Sequence, residues 1–309
     1  MKLAMVFPGQ GSQSVGMMSR YGSYPVVRET FAEASAVLGQ DLWALVEDGD
    51  GEALNQTVNT QPLMLAADVA VYRAWRGGGG RAPGVLAGHS LGEYAALVAA
   101  GSLAFADALP LVRFRAQAMQ EAVPAGVGAM AAIMGLESAA VEDACRQAAQ
   151  GQVVEPVNLN APDQTVIAGH REAVERASAT AKAAGAKRVL MLPVSAPFHC
   201  LLMKPAAERL AAYLAKLVID PAVVPVLHNA DAREARTPDA IRVALAAQAA
   251  SPVRWVETIR LFAARGVTHV VECGPGKVLT GLIKRIAPEL AALPLSDGDA
   301  LAAAIAETT

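Results

Sequence analysis

Cysteine is scarce. The 309 residues contain three, Cys145, Cys200 and Cys273, an odd number with no C-x-x-C pair. That speaks against a disulfide framework and against a structural metal site, and fits a reduced, cytoplasmic protein. Charge of one sign is also missing: the net charge is −3, so nothing global marks a partner of nucleic acid or of an anionic membrane. Long apolar runs are absent too. Residues 3–7 are stopped by Pro8, too soon for a secretory segment. The stretch 94–112 is interrupted by Gly101-Ser102, Asp107 and Pro110, which excludes a membrane span. Repeats and low-complexity linkers are lacking. The glycines of the loop Pro8-Gly9-Gln10-Gly11-Ser12-Gln13 invite a dinucleotide-binding reading, but Ser14 stands where the third glycine of G-x-G-x-x-G is required.

What is present is a large apolar fraction, 53% against 18% charged, ample for a sizeable core. Alanine-rich helical segments alternate with Val/Ile/Leu strands, the pattern of an α/β protein. The most informative stretch is 84–101. Residues 84–88 read as a short buried strand, and from Leu91 onward apolar residues recur at helical spacing, with Glu93 the one charge. Between them lies Gly88-His89-Ser90-Leu91-Gly92, a G-x-S-x-G in the strand–turn–helix setting of a nucleophile elbow. Both glycines are required because the turn leaves no room for side chains beside the serine. Ser90 then sits at a helix N-terminus, where the Leu91 N–H and one further donor would hold an oxyanion.

Elsewhere the spacing predicts a first strand at 2–7, helices at 26–38 and 62–75, the second with Pro62 in its first turn, and a helix at 108–123. On that last helix Arg113 falls on the polar face and Arg115 on the apolar face with Leu111, Ala118 and Ala122. Arg113 is an ordinary solvated charge in this reading. Arg115 either snorkels or pairs with an acid, or it awaits an anionic substrate. From 125 to 193 the pattern changes to strand 129–134, a helix capped by Ser138, strands 153–159 and 165–168, helix 172–184 and strand 186–192. That β-α-β-β-α-β order is the ferredoxin-like unit, inserted into a larger domain made of 1–124 and 194–309. Strands at 225–227 and 268–272 complete the reading. Gly274-Pro275-Gly276-Lys277 lacks the Ser/Thr and the upstream glycine of a phosphate loop, which leaves a strand–turn–helix connection.

Ser90 needs a general base. Of five histidines, His170 opens a small-lobe helix, His269 lies in a strand, His228 borders a strand end beside Asn229, and His89 is the elbow's own neighbour. His199, on the proline-flanked loop returning to the large domain, is the best placed, though spacing alone does not choose it. Cys200 beside it is either a thiol nucleophile or an inert buried cysteine.

Taken together, Phe7-Pro8-Gly9-Gln10-Gly11-Ser12-Gln13, Gly88-His89-Ser90-Leu91-Gly92-Glu93, Arg115 before Met119-Gln120, and Ser195-Ala196-Pro197-Phe198-His199 resemble the malonyl-CoA:acyl carrier protein transacylase family. The similarity runs from about residue 3 to 286. It implies an α/β-hydrolase-like large subdomain with an inserted ferredoxin-like small one. It implies that Ser90 is acylated, that His199 is the base, that Arg115 pairs with the malonyl carboxylate, and that the Gln10 and Leu91 N–H groups form the oxyanion hole. In that family a backbone carbonyl orients the histidine, and Gln248 matches its position. Cys200 stands where family members often carry Ser, and Phe198 before the histidine resembles malonyl-selective members. The implied chemistry is ping-pong transfer from malonyl-CoA to the phosphopantetheine thiol of acyl carrier protein. It needs no metal or bound cofactor, and the implied enzyme is a cytoplasmic monomer serving fatty acid, polyketide or malonate metabolism. A serine hydrolase and a non-catalytic carrier-docking module are the competing classes.

Overall fold

The computed structural model describes residues 2–309. Among the described residues nine strands form two separate sheets. They are β1 (Leu3–Phe7), β2 (Val85–Gly88), β3 (Gly128–Met134), β4 (Val154–Ala161), β5 (Gln164–His170), β6 (Arg188–Met191), β7 (Val226–Leu227), β8 (His269–Glu272) and β9 (Ala291–Pro294). The larger sheet has the order β7-β2-β1-β8-β9 and all its pairings are parallel. Every residue of β1 and β2 is buried, as expected of parallel strands covered by helices on both faces. Because β1 and β2 are neighbours in register, from Ala4 opposite Val85 to Phe7 opposite Gly88, the loops after them emerge side by side. The Pro8–Gln13 loop therefore meets the elbow.

The smaller sheet has the order β4-β5-β3-β6, entirely antiparallel. Its helices Ser138–Ala148 and Arg171–Ala183 pack on one face through an alanine- and valine-rich core. With the connectivity β3-helix-β4-β5-helix-β6, this is the ferredoxin-like arrangement expected from the sequence. Asn158 of β4 bridges to Val253 of the large region, which ties the small sheet to it.

Three local expectations require correction. The second helix runs Thr57–Gly77 and begins five residues earlier than its proline suggested, with Pro62 inside it. Pro110 is likewise internal to Phe105–Glu121. Each proline is the sixth residue of its helix and forfeits one backbone bond, a cost of about 3 kcal/mol. Burial of the apolar residues around it, such as Leu63, Met64 and Leu109, offsets this. Ser138 does not cap its helix: Glu137 holds the cap position without a side-chain bond, and Ser138 Oγ pairs with Thr165 Oγ1 on β5. Arg113 is not a free surface charge. It is half-buried and donates to the Leu38 carbonyl and to Gln40, closing the end of helix Pro25–Leu38.

Candidate active site

The elbow is built by close approach. A Cβ on Gly88 would lie 1.9 Å from the Gly92 carbonyl carbon, and one on Gly92 would lie 2.1 Å from the Phe7 oxygen. Neither position tolerates a side chain. Ser90 itself has φ +53°, a left-handed conformation that a non-glycine residue holds only when its surroundings enforce it. They do so here with hydrogen bonds on both sides. Asn229 Oδ1 accepts from the Ser90 N–H at 2.7 Å, while Asn229 Nδ2 donates to the Gly88 carbonyl at 2.6 Å. The Ser90 carbonyl accepts from Gln248 Nε2 at 2.8 Å.

The structure brings Ser90, His199 and Arg115 together. Ser90 Oγ lies 2.7 Å from His199 Nε2. His199 Nδ1 faces the Gln248 backbone carbonyl at 2.9 Å. A carbonyl only accepts, so Nδ1 carries the proton and Nε2 is free to accept from the serine hydroxyl. Burial, reinforced by the Arg115 charge and opposed by the Gln248 carbonyl, pushes the His199 pKa down to about 3. The ring is therefore neutral throughout the neutral range, with the Nε2 lone pair free to accept the serine proton. Like Ser90, His199 has positive φ, +67°.

Arg115 is 2% exposed. Its Nη1 donates to Gln61 Oε1 at 2.8 Å, and its Nη2 donates to Gln248 Oε1 at 2.9 Å and to Ser90 Oγ at 3.2 Å. The guanidinium lies over the Tyr94 ring at 5.4 Å. Among the described residues no carboxylate touches it, which removes the reading in which Arg115 pairs directly with an acid. Gln10 and Leu91 line the same cavity of about 410 Å³ as Ser90, His199 and Arg115. Among the described residues neither the Gln10 N–H nor the Leu91 N–H has a protein acceptor. The Ser90 N–H, by contrast, is already committed to Asn229. Gln248, 0% exposed, sits behind these groups rather than facing the cavity.

His89 does not turn towards Ser90. It is half-buried with Nε2 against Asn160 Oδ1 of β4 at 2.8 Å, so it ties the elbow to the small sheet, and desolvation lowers its pKa. Cys200 is 0% exposed, its thiol donates to the Pro197 carbonyl, and burial raises its pKa to about 12. It is an inert core thiol. The Gly274–Gly276 turn connects β8 to helix Val278–Ile286. Glu272 fills the start of that helix, accepting from the Leu279 N–H at 2.9 Å and the Thr280 N–H at 2.6 Å. The protein's own carboxylate thus occupies the place a phosphate would take.

Four participants escaped the sequence reading: Gln61, Asn160, Asn229 and Glu93. Glu93 was the lone charge on an apolar helix, yet it is 0% exposed. A lone carboxylate on a helix otherwise apolar all round, three residues after Ser90, was the only signal available in the sequence. Among the described residues no helix is long and apolar enough to cross a membrane, and no group of three or more His, Cys, Asp or Glu could hold a metal ion.

The acyl transferase domain family matches residues 4–295. Malonyl CoA-acyl carrier protein transacylase of Escherichia coli K12 is 58% identical over 305 residues, 98% of this chain and 99% of the relative. The Bacillus subtilis transacylase is 45% identical over 306 residues, 98% of this chain and 96% of its own length. The crystal structure of acyl-carrier-protein S-malonyltransferase from Burkholderia pseudomallei superposes with a TM-score of 0.98 at 56% identity, covering 99% of this chain and 100% of that one. A malonyl-transacylase solved in complex with a type II polyketide acyl carrier protein gives 0.98 at 52% identity, over 99% and 100%. The chain is an acyltransferase and belongs to the malonyl-CoA–acyl carrier protein transacylase family.

Proposed function

We propose that the enzyme moves a malonyl group from malonyl-CoA to the phosphopantetheine thiol of an acyl carrier protein through a malonyl-Ser90 ester. One observation carries the choice of acyl group: the Arg115 guanidinium, buried and without a carboxylate partner, lies 3.2 Å from Ser90 Oγ. An acyl chain attached to Ser90 that ended in a second carboxylate would meet it there in bidentate fashion. His199 Nε2, 2.7 Å from the hydroxyl, takes the serine proton as Oγ attacks the thioester carbonyl and passes it to the departing CoA sulfur. In the second half it takes the carrier thiol's proton and returns it to Ser90 Oγ. The uncommitted N–H groups of Gln10 and Leu91 are suited to hold the oxyanion of each tetrahedral intermediate.

The nucleophile and base come from the segments 1–124 and 194–309, which we assign to the large subdomain. The segment 125–193 forms the small one and supplies the opposite wall of the cavity through Met130 and Asn158. The relatives, malonyl transacylases acting with acyl carrier protein, support acyl carrier protein as acceptor; fatty acid or polyketide synthesis is the setting we assign. Initial rates measured over a grid of both substrates test the order of events. Parallel double-reciprocal lines and exchange of labelled CoA into malonyl-CoA without carrier protein are expected. Intersecting lines with no exchange would reject the covalent route.

A further inference from the structure

Glu93 is the one charged residue of helix Gly92–Ala99 and is 0% exposed. Burying a carboxylate is costly unless donors surround it, and three converge here. His228 Nδ1 lies 2.8 Å from Oε1, while the Asn229 N–H at 2.8 Å and Gln248 Nε2 at 3.0 Å both reach Oε2. Asn229 and Gln248 are the two residues whose side chains grip the elbow peptides on either side of Ser90. A single carboxylate oxygen is therefore the anchor for both.

The Gln248 amide has an end that donates and an end that accepts. With Nε2 committed to Glu93 and to the Ser90 carbonyl, its oxygen has to face Arg115, which it meets at 2.9 Å. Carboxylate, amide and guanidinium form a chain in which each hydrogen bond has an ionised group at one end. A flipped amide would set N–H against N–H and release Nη2 from its aim.

We propose that Glu93 is a positioning residue: through the Gln248 amide it aims the Arg115 guanidinium at the acyl carboxylate, and so sets the preference for a dicarboxylic acyl group. The proposal rests on the role given to Arg115 above. Its test is the ratio of kcat/KM for malonyl-CoA over acetyl-CoA, read together with Tm. Glu93→Ala is expected to lower the ratio about 10-fold or more. Glu93→Gln, which keeps an acceptor oxygen toward Gln248, should hold it within about threefold of the parent. An alanine variant with an unchanged ratio, whatever its Tm, overturns the proposal, as does a glutamine variant as unselective as the alanine one. Should Glu93→Ala not fold, Gln248→Met removes the same amide while leaving the backbone carbonyl on His199. An unchanged ratio there is equally fatal. Arg115→Ala is measured alongside. If it leaves the ratio intact, the reading of Arg115 itself fails; if it collapses the ratio and the Glu93 and Gln248 variants do not, only the present proposal fails.

Discussion

Replacing Arg115 by alanine removes a guanidinium that is 2% exposed and donates to Gln61, Gln248 and Ser90. The perturbation acts differently on two substrates. In the proposed mechanism malonyl-CoA loses a charged partner for its free carboxylate. Acetyl-CoA has no such carboxylate and, in the parent enzyme, leaves Arg115 buried without a counter-ion. Truncating one member of a buried, hydrogen-bonded charge pair costs about 2–5 kcal/mol. At about 1.4 kcal/mol per factor of ten, the malonyl-over-acetyl ratio of kcat/KM should fall by roughly 30-fold to several thousand-fold. Most of the fall should lie in malonyl transfer. The assay is formation of acyl-carrier thioester from each CoA ester, with Arg113→Ala as comparison. Arg113 holds the end of helix Pro25–Leu38, so its loss should lower Tm and leave the ratio alone. A ratio unchanged in Arg115→Ala, or shifted as far by Arg113→Ala, would make Arg115 a structural residue and not a selector of the acyl group.

Two further outcomes follow from buried titratable groups. Because His199 is held down to about 3, by burial first and then by Arg115, kcat/KM should stay level from pH 7 to pH 5. Arg115→Ala should move the acid limb upward, since the cation opposing imidazole protonation is gone; a parent enzyme already losing activity near pH 6.5 would contradict this. Asp68 is 0% exposed with neither carboxylate oxygen hydrogen-bonded, and burial, with Glu272 nearby, raises its pKa well above the usual range. A raised folded-state pKa means that stability is lost as pH rises above the unfolded value of about 3.9. Asp68→Asn should therefore raise Tm at pH 8 and have little effect at pH 4, as thermal scans at both would show; equal effects at the two pH values would rule it out.

Much of this site could be read from residue order because its signals are local. The two elbow glycines, the helix register that separates Arg115 from Arg113, and the β-α-β-β-α-β rhythm of residues 128–191 each lie within a short window. The supporting frame is of another kind. Glu93 meets His228 and Asn229 across more than 130 residues, and Gln248 meets Ser90 across 158. No periodicity encodes such pairings. Glu93 was the hardest case, since a single charge on an apolar helix is normally the solvent-facing one. Gln248 also rides on a helix, Pro238–Gln248, whose start was marked by Thr237-Pro238-Asp239. Thr237 caps it by accepting from the Ala240 N–H, a signal present in the sequence and overlooked. Arg113 was misjudged for a related reason: its polar face is covered by the end of a helix that lies 75 residues away in the chain.

In the proposed mechanism Ser90, held at φ +53° with its hydroxyl 2.7 Å from His199 Nε2, carries the acyl group between donor and acceptor. Intact-mass measurement after incubation with malonyl-CoA, without and then with holo carrier protein, tests it most directly. One added malonyl group is expected, mapping to Ser90, discharged by the carrier and absent from Ser90→Ala. An adduct that survives Ser90→Ala, or product formed by that variant at the parent rate, would contradict it.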